Sequence, residues 1–463
     1  MADLLDCPPE ILCSILECLP AHHLRSICLA NKGLRKIAEP LLYARIELVW
    51  NEARTPPIIP FIRSLQRRPS LANQVQHLTL NARWRSHLYG RVMIEDPDGF
   101  SFHQLPPSIS VDGSELASLV TTIQDINPPF RDLWIQELGN GVMDAFVILL
   151  LSLIPNLTHL RLIGVFARET RLLGMLLRAS LCQTSHCELP RFQYLQEVDF
   201  DPELNPFRDW QTKNTADVLP LLYLPSVQSI KFEVDNPFTF SWPTHRPSPS
   251  NITALDLQIL REGLLGCILA VTENLKTLRW EWVYEPDLKS EFNNHVINLD
   301  QIITDLSLVQ DTLENLHLLA NVGPEVPDYP VLEIKGSLRG LKNFEKIQTF
   351  EAPQVFLVGF SPNNNLGCLE DLLPKNIYHL TINDDLSWLE EVVWEDRDLF
   401  AMLQRWWENL TPYTPHFHSF ELSLLCEDRG WCAEIRNELS ELCARLGIRL
   451  DIFKRNKDFV YTS

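Results

Sequence analysis

A six-residue pattern, apolar-x-x-apolar-x-apolar, recurs along most of this chain of 463 residues. The clearest copies run from Val75 to Leu80, Asn156 to Leu162 and Leu195 to Phe200. Further copies run from Val227 to Phe232, Ile252 to Leu257, Leu275 to Trp280, Leu313 to Leu318 and Ile377 to Ile382. Alternation at the end of each copy predicts a strand with one face in a core and one polar face. Steps of about 23 to 55 residues separate the copies, and helical spacing within them predicts helices from Glu115 to Ile126, Gly141 to Leu153 and Val296 to Leu308. A helix from Trp431 to Leu446 and a strand from Ile448 to Phe453 are expected to close the far end.

The first residues follow a different period. Residues 6 to 48 divide at their prolines into three helices. Asp6 stands near the first cap and Pro8 and Pro9 suit a first turn, where a missing N–H costs nothing. Ile11, Leu12, Ile15, Leu16 and Leu19 then recur at three- and four-residue spacing, and Pro20 ends the helix. A second helix is predicted from Ala21 to Ala30, with Leu24, Ile27 and Cys28 inward. A third is predicted from Lys32 to Ala38, with Leu34 and Ile37 inward and Pro40 as its stop. Three helices this short enclose little interior, so another chain or the next domain is expected to cover part of their apolar surface.

The order Pro8-Pro9-Glu10-Ile11-Leu12, Leu19-Pro20, Leu24, Ala30-Asn31-Lys32, Leu34-Arg35 and Pro40-Leu41-Leu42-Tyr43 resembles an F-box, in the version ending PLLY found in many fungal chains. The resemblance implies a module, residues 1–48, that binds a Skp-type adaptor and through it a cullin and a ubiquitin-conjugating enzyme. Pro8, Ile11, Leu12, Ile15, Leu16 and Leu19 would then lie at or beneath the adaptor interface. Cys7 and Leu34 depart from the family, which has Leu and usually Trp at these places. A helical cap over the first repeat is the other reading of the same segment.

The recurring pattern resembles the strand portion of a leucine-rich repeat, although the Asn usual in that repeat's turn is mostly missing. The expected fold is therefore α/β: a three-helix F-box, then an irregular leucine-rich-repeat-like solenoid over residues 49–463, with a parallel sheet inside and helices outside. An open α/β domain, which would shuffle its strand order, is the competing architecture. Proline-rich segments at Pro97 to Pro107, Asn236 to Pro249, Pro324 to Pro330 and Pro353 to Pro362 are candidate client contacts on one rim. Trp242, Trp388 and Trp394 are aromatics in polar company, the composition of interface hot spots, and are the candidate substrate-binding residues. Packing of these rings onto neighbouring helices is the alternative.

Composition narrows the function. Forty Lys and Arg against sixty Asp and Glu give a net charge of -20, which repels nucleic acid and anionic lipid. Residues 45 to 95 carry eight Arg, whereas residues 370 to 400 carry nine acids that could favour a basic client. Eleven scattered cysteines without a C-x-x-C pair do not suggest a disulfide framework. The opening MADLLDCPPE does not resemble a secretory signal, and the apolar run Val142 to Ile154 is too short for a bilayer. A cytoplasmic or nuclear protein with no membrane role is expected.

No phosphate-cradling, nucleophile-elbow or zinc-hydrolase motif occurs. Cys182, His186 and Cys187 come nearest to a metal cluster, without a second ligand pair. The expectation is a protein without catalysis, cofactor or metal: the substrate-recognition subunit of a cullin-based ubiquitin ligase. A repeat scaffold unconnected to ubiquitin, and an enzyme with an unrecognised site, are the alternatives.

Overall fold

A computed structural model of the chain describes residues 7–50, 56–82, 92–96, 99–103, 109–183, 189–202, 215–234, 236–237, 239–248, 251–284, 294–322, 331–362, 366–425 and 431–455. The fold is α/β, with fourteen described strands in parallel ladders and two paired antiparallel. The chain divides into two compact units. One holds Met1–Asp209, Ala216–Lys231 and Pro243–His245; the other holds Trp210–Thr215, Phe232–Trp242 and Arg246–Ser463.

The first unit opens with three helices, α1 (Pro9–Glu17), α2 (Ala21–Ala30) and α3 (Lys32–Ala44). They enclose a small core of Leu16, Leu24 and Ala38, edged by Leu19, Ile27, Cys28, Ile37, Leu41 and Leu42. The side chain of Asn31 caps α3 by accepting from the backbone N–H of Gly33 and Leu34. Pro40 does not stop that helix, which continues to Ala44. Proline's missing N–H removes one helical bond, but Leu41 and Leu42 beyond it pack into the core and hold the last turn.

Ala44 leads directly into the strand Arg45–Val49, so residue 48 lies within a strand. This strand pairs in parallel with His77–Ala82, which pairs in turn with His159–Gly164. Glu197–Asp201 and Ser229–Glu233 follow in chain order. The register stacks Ile46, Leu78, Leu160, Val198 and Ile230 in one column. The helix Gly113–Ile126 matches its expected span closely, and Met143–Leu153 is buried along nearly its whole length.

The second unit repeats the plan with Ala254–Gln258, Thr277–Tyr284, Asn315–Val322, Thr349–Pro353, His379–Asn383, Ser419–Leu424 and Arg449–Lys454, again paired in chain order. One register column holds Leu255, Leu278, Leu316, Phe350, Leu380, Phe420 and Leu450. The shuffled order of an open α/β domain is found in neither run. Ala433–Leu446 precedes the last strand, as expected. Val296–Asn298, expected to begin a helix, is instead a strand paired with Glu333–Lys335, and the helix starts at Leu299. Two β-branched residues and the capping side chain of Asn298, which accepts from Gln301 N–H, account for the switch.

One backbone device recurs at these strands. The carbonyl just before a strand accepts two consecutive N–H groups from the next repeat: Gln76 from Thr158 and His159 at 2.8 and 3.0 Å, Lys276 from Glu314 and Asn315 at 2.8 and 2.9 Å. Thr158, Gln196, Thr253, Glu314, Gln348 and Tyr378 do the same. The residue before each such carbonyl opens the sequence pattern, and each is buried, from Val75 to Ile377. Its burial anchors the turn that aims the carbonyl.

Candidate functional site

The first candidate is the outer face of α1. Its inner face is made by Leu12 and Leu16, at 4 % and 3 % exposure, with Leu19 against the same core. Pro8, Ile11 and Ile15, at spacings of three and four, lie along one edge of that apolar stripe and are exposed. The six residues that the sequence groups thus separate into three that build the module and three that face outward. Ile11 and Ile15 leave 51 % and 45 % of their surface open, and Leu29 on α2 leaves 80 %. Among the described residues this apolar surface is left uncovered. Cys7 and Leu34 are half-buried.

Ion pairs hold α3 to the segment that follows. Arg35 and Arg68 reach the Glu39 carboxylate at 2.9 and 2.7 Å. Hydrogen bonding from Arg68, and then from Arg35, holds Glu39 down to about 2. Arg63 pairs with Glu115. Part of the basic run in residues 45 to 95 is therefore neutralised within the chain.

The second candidate is the polar face of the ladder in the second unit. The polar positions of the sequence pattern form rows across its strands. One row runs Asp256, Arg279, His317, Glu351, Thr381, Glu421 and Asp451. Arg279 reaches Asp256 at 3.6 Å, His317 Nδ1 reaches Glu351 at 3.0 Å, and Arg449 reaches Asp451 at 2.9 Å. Burial pushes Glu351 up, but the His317 hydrogen bond and the Arg279 charge outweigh it and leave the carboxyl below its ordinary value. Burial also lowers His379, whose Nε2 lies 3.0 Å from the Thr381 hydroxyl. Asp256, Arg279, His317 and Thr381 occupy the fifth position of their six-residue copies, so the pattern itself specifies much of this row.

All three candidate tryptophans are half-buried. Trp394 is half-buried and donates its indole N–H to the Gly359 carbonyl at 2.9 Å. Trp242 is half-buried and meets Phe240 edge-on at 5.1 Å. Trp388 is half-buried in the turn after His379–Asn383. Local packing thus accounts for much of the Trp242 and Trp394 surface. Within Pro353 to Pro362, expected as a rim loop, Gln354–Val358 is a buried helix and offers no contact surface. Four consecutive apolar residues, Val355 to Val358, drive that burial. Pro324 to Pro330, and parts of Pro97 to Pro107 and Asn236 to Pro249, lie outside the described residues.

Among the described residues no group of three His, Cys, Asp or Glu could hold a metal ion. Cys182 ends the π-helical turn Arg178–Cys182, while His186 and Cys187 fall outside the described residues. Nine described cysteines are free thiols. No described helix is long and apolar enough to cross a membrane. No family model matches the chain, and no curated protein matches it either.

Proposed function

We propose that this protein is the substrate-recognition subunit of a cullin-based ubiquitin ligase. In this reading α1 to α3 are an F-box whose outer α1 face docks onto a Skp-type adaptor, and the ladders form a leucine-rich-repeat-like solenoid that holds a protein client. The carrying observation is the division of the α1 residues: Leu12, Leu16 and Leu19 pack inward while Pro8, Ile11 and Ile15 present an uncovered apolar stripe. The repeated carbonyl device supports the solenoid, because stacked repeats place the same acceptor at each step.

The protein would form and break no bonds itself. Holding a client beside a conjugating enzyme makes their encounter effectively intramolecular. Co-purification of the full chain with a Skp-type adaptor and a cullin tests the reading, and no association at micromolar concentrations would sink it.

One observation favours a second reading. α3 runs without a break into Arg45–Val49, and Glu39 is held by Arg68, so the helices also close the edge of the first ladder. A repeat scaffold whose helical cap binds no adaptor fits that continuity.

A further inference from the structure

The strand that carries the three-helix module is held lightly. Among the described residues Arg45–Val49 is an edge strand, paired only with His77–Ala82, and its residues alternate between exposed and half-buried. A strand that buries no side chain completely depends on its backbone ladder and on the side chains lined up across it. The row that opens this ladder runs Arg45, His77, His159 and Glu197.

The two imidazoles of the row are stacked, with centroids 4.0 Å apart and planes 18° from parallel. The Thr158 hydroxyl donates its one proton to the Gln76 carbonyl at 2.9 Å. It therefore accepts from His159 Nδ1, 2.8 Å away, which places the ring proton on that nitrogen. His159 Nε2 is left facing the Glu197 carboxylate at 3.6 Å, so a further proton on this ring meets a counter-charge. His77 stands instead between Arg45 and His159. Burial first, and then the His159 and Arg45 charges, lower its pKa; Glu197, two strands away, acts against them.

With His159 alone charged, the row holds a cation facing an anion. With both rings charged, three cations stand side by side on adjacent strands. Like charges directly opposite one another in a ladder are destabilising, and the edge strand is the element with room to leave. We propose that the His77–His159 stack is an acid-sensitive latch, which holds Arg45–Val49 on the ladder while the rings are neutral and releases that strand when both are charged beside Arg45. Because α3 runs directly into Arg45, release loosens the module from the first ladder. Glu39, held at about 2, stays charged in mild acid, so its pair with Arg68 keeps the module tethered. The folded value of His77 lies below the unfolded one, about 6.5, so its contribution is complete above pH 6.5 and is lost as pH falls through that value. The latch operates whatever the helices bind and so stands apart from the ligase reading.

Hydrogen–deuterium exchange of the full chain tests the latch, read on residues 45–49 at about pH 7.5 and about pH 5.5 and corrected for the intrinsic pH dependence of exchange. Corrected exchange is expected to rise at least about fivefold in acid, the effect of roughly one unit-charge repulsion at this spacing in water. The rise should shrink below about twofold in His77→Gln and His159→Gln, where that repulsion is gone. It should persist in His22→Gln, which removes an imidazole from α2 outside the row. Asp144 and Asp217, pushed up to about 8 and about 6 by burial, titrate over the same interval in every variant, so comparison between variants isolates the stack. A second readout leaves both rings in place: in the NMR spectrum of the histidine-labelled chain, Arg45→Gln should move the His77 titration to higher pH. No acid rise in the native chain, an equal rise in His77→Gln, or a His77 titration unchanged in Arg45→Gln overturns the proposal.

Discussion

The Asp385 carboxylate, on a residue 1 % exposed, accepts from the backbone N–H of Ala320 at 3.0 Å. Between these two residues in the ladder lies Thr349–Pro353, which leaves the sheet at Pro353 to enter the buried helix Gln354–Val358. Proline has no N–H to offer, and the departing chain leaves the far end of Asn315–Val322 unpaired on that side, while Thr277–Tyr284 still pairs with it on the other. Side chains substitute for it. Asp385 takes the Ala320 N–H, and Asn383 donates to the Leu318 carbonyl at 3.3 Å.

Asp385→Ala should therefore leave the Ala320 N–H without its acceptor and the Arg455 guanidinium with Asp384 alone, at 3.3 Å. A loss of about 3 kcal/mol or more in unfolding free energy is expected from denaturant titration, since breaking one half of a buried charged pair is strongly destabilising. A change below about 0.5 kcal/mol would show that water replaces the carboxylate at no cost.

Asp144 gives a stability effect with a definite sign. It is 3 % exposed, accepts from Leu172 N–H at 2.5 Å, and burial pushes its carboxyl up to about 8. A folded value above the unfolded one, about 4, means that its contribution is complete below pH 4 and is lost as pH rises through about 8. Asp144→Asn keeps an acceptor and cannot ionise. Its melting temperature should match the native protein near pH 4 and exceed it by several degrees at pH 8; parallel pH curves would show that Asp144 is charged in the fold.

The two faces of α1 predict opposite outcomes. Leu16→Ala opens the small core of the helical module and should cost about 2–5 kcal/mol, read as a local loss of helix protection in hydrogen exchange. Ile15→Ala, at an exposed position, should leave that protection in place while weakening adaptor binding severalfold. Equal loss of protection in both variants would mean that the outer face is part of the module's own core.

Much of this architecture is written in the chain as one rule. Each of the eight copies of the six-residue pattern leads into a strand, and its first apolar residue sits two places before that strand. Phe417, Phe420 and Leu422 obey the same rule and mark Ser419–Leu424, which a search for the clearest copies omits. At Ile347, Phe350 and Ala352 the last position is too small to stand out, so Thr349–Pro353 is hidden among its prolines. Arg45–Val49 is hidden for another reason: it follows a helix with no turn between them, so no Gly, Asn or Pro announces it. The site was less legible. Periodicity groups Ile11, Leu12, Ile15 and Leu16 as one stripe, because a helix wide in apolar residues does not say which edge another helix will cover. Glu421 stands far from His317 and Glu351 in sequence, and only strand register brings them into one row.

The central claim, that the outer face of α1 docks a Skp-type adaptor, is tested most directly by titrating purified adaptor against the full chain and against Ile11→Asp. Ile11 is 51 % exposed, so the variant should fold, while its charge at an apolar interface should cost about 3–5 kcal/mol of binding. The account predicts micromolar or tighter affinity for the native chain and at least about a hundredfold weaker binding for the variant. No binding by the native chain, or equal affinity of the two proteins, would contradict it.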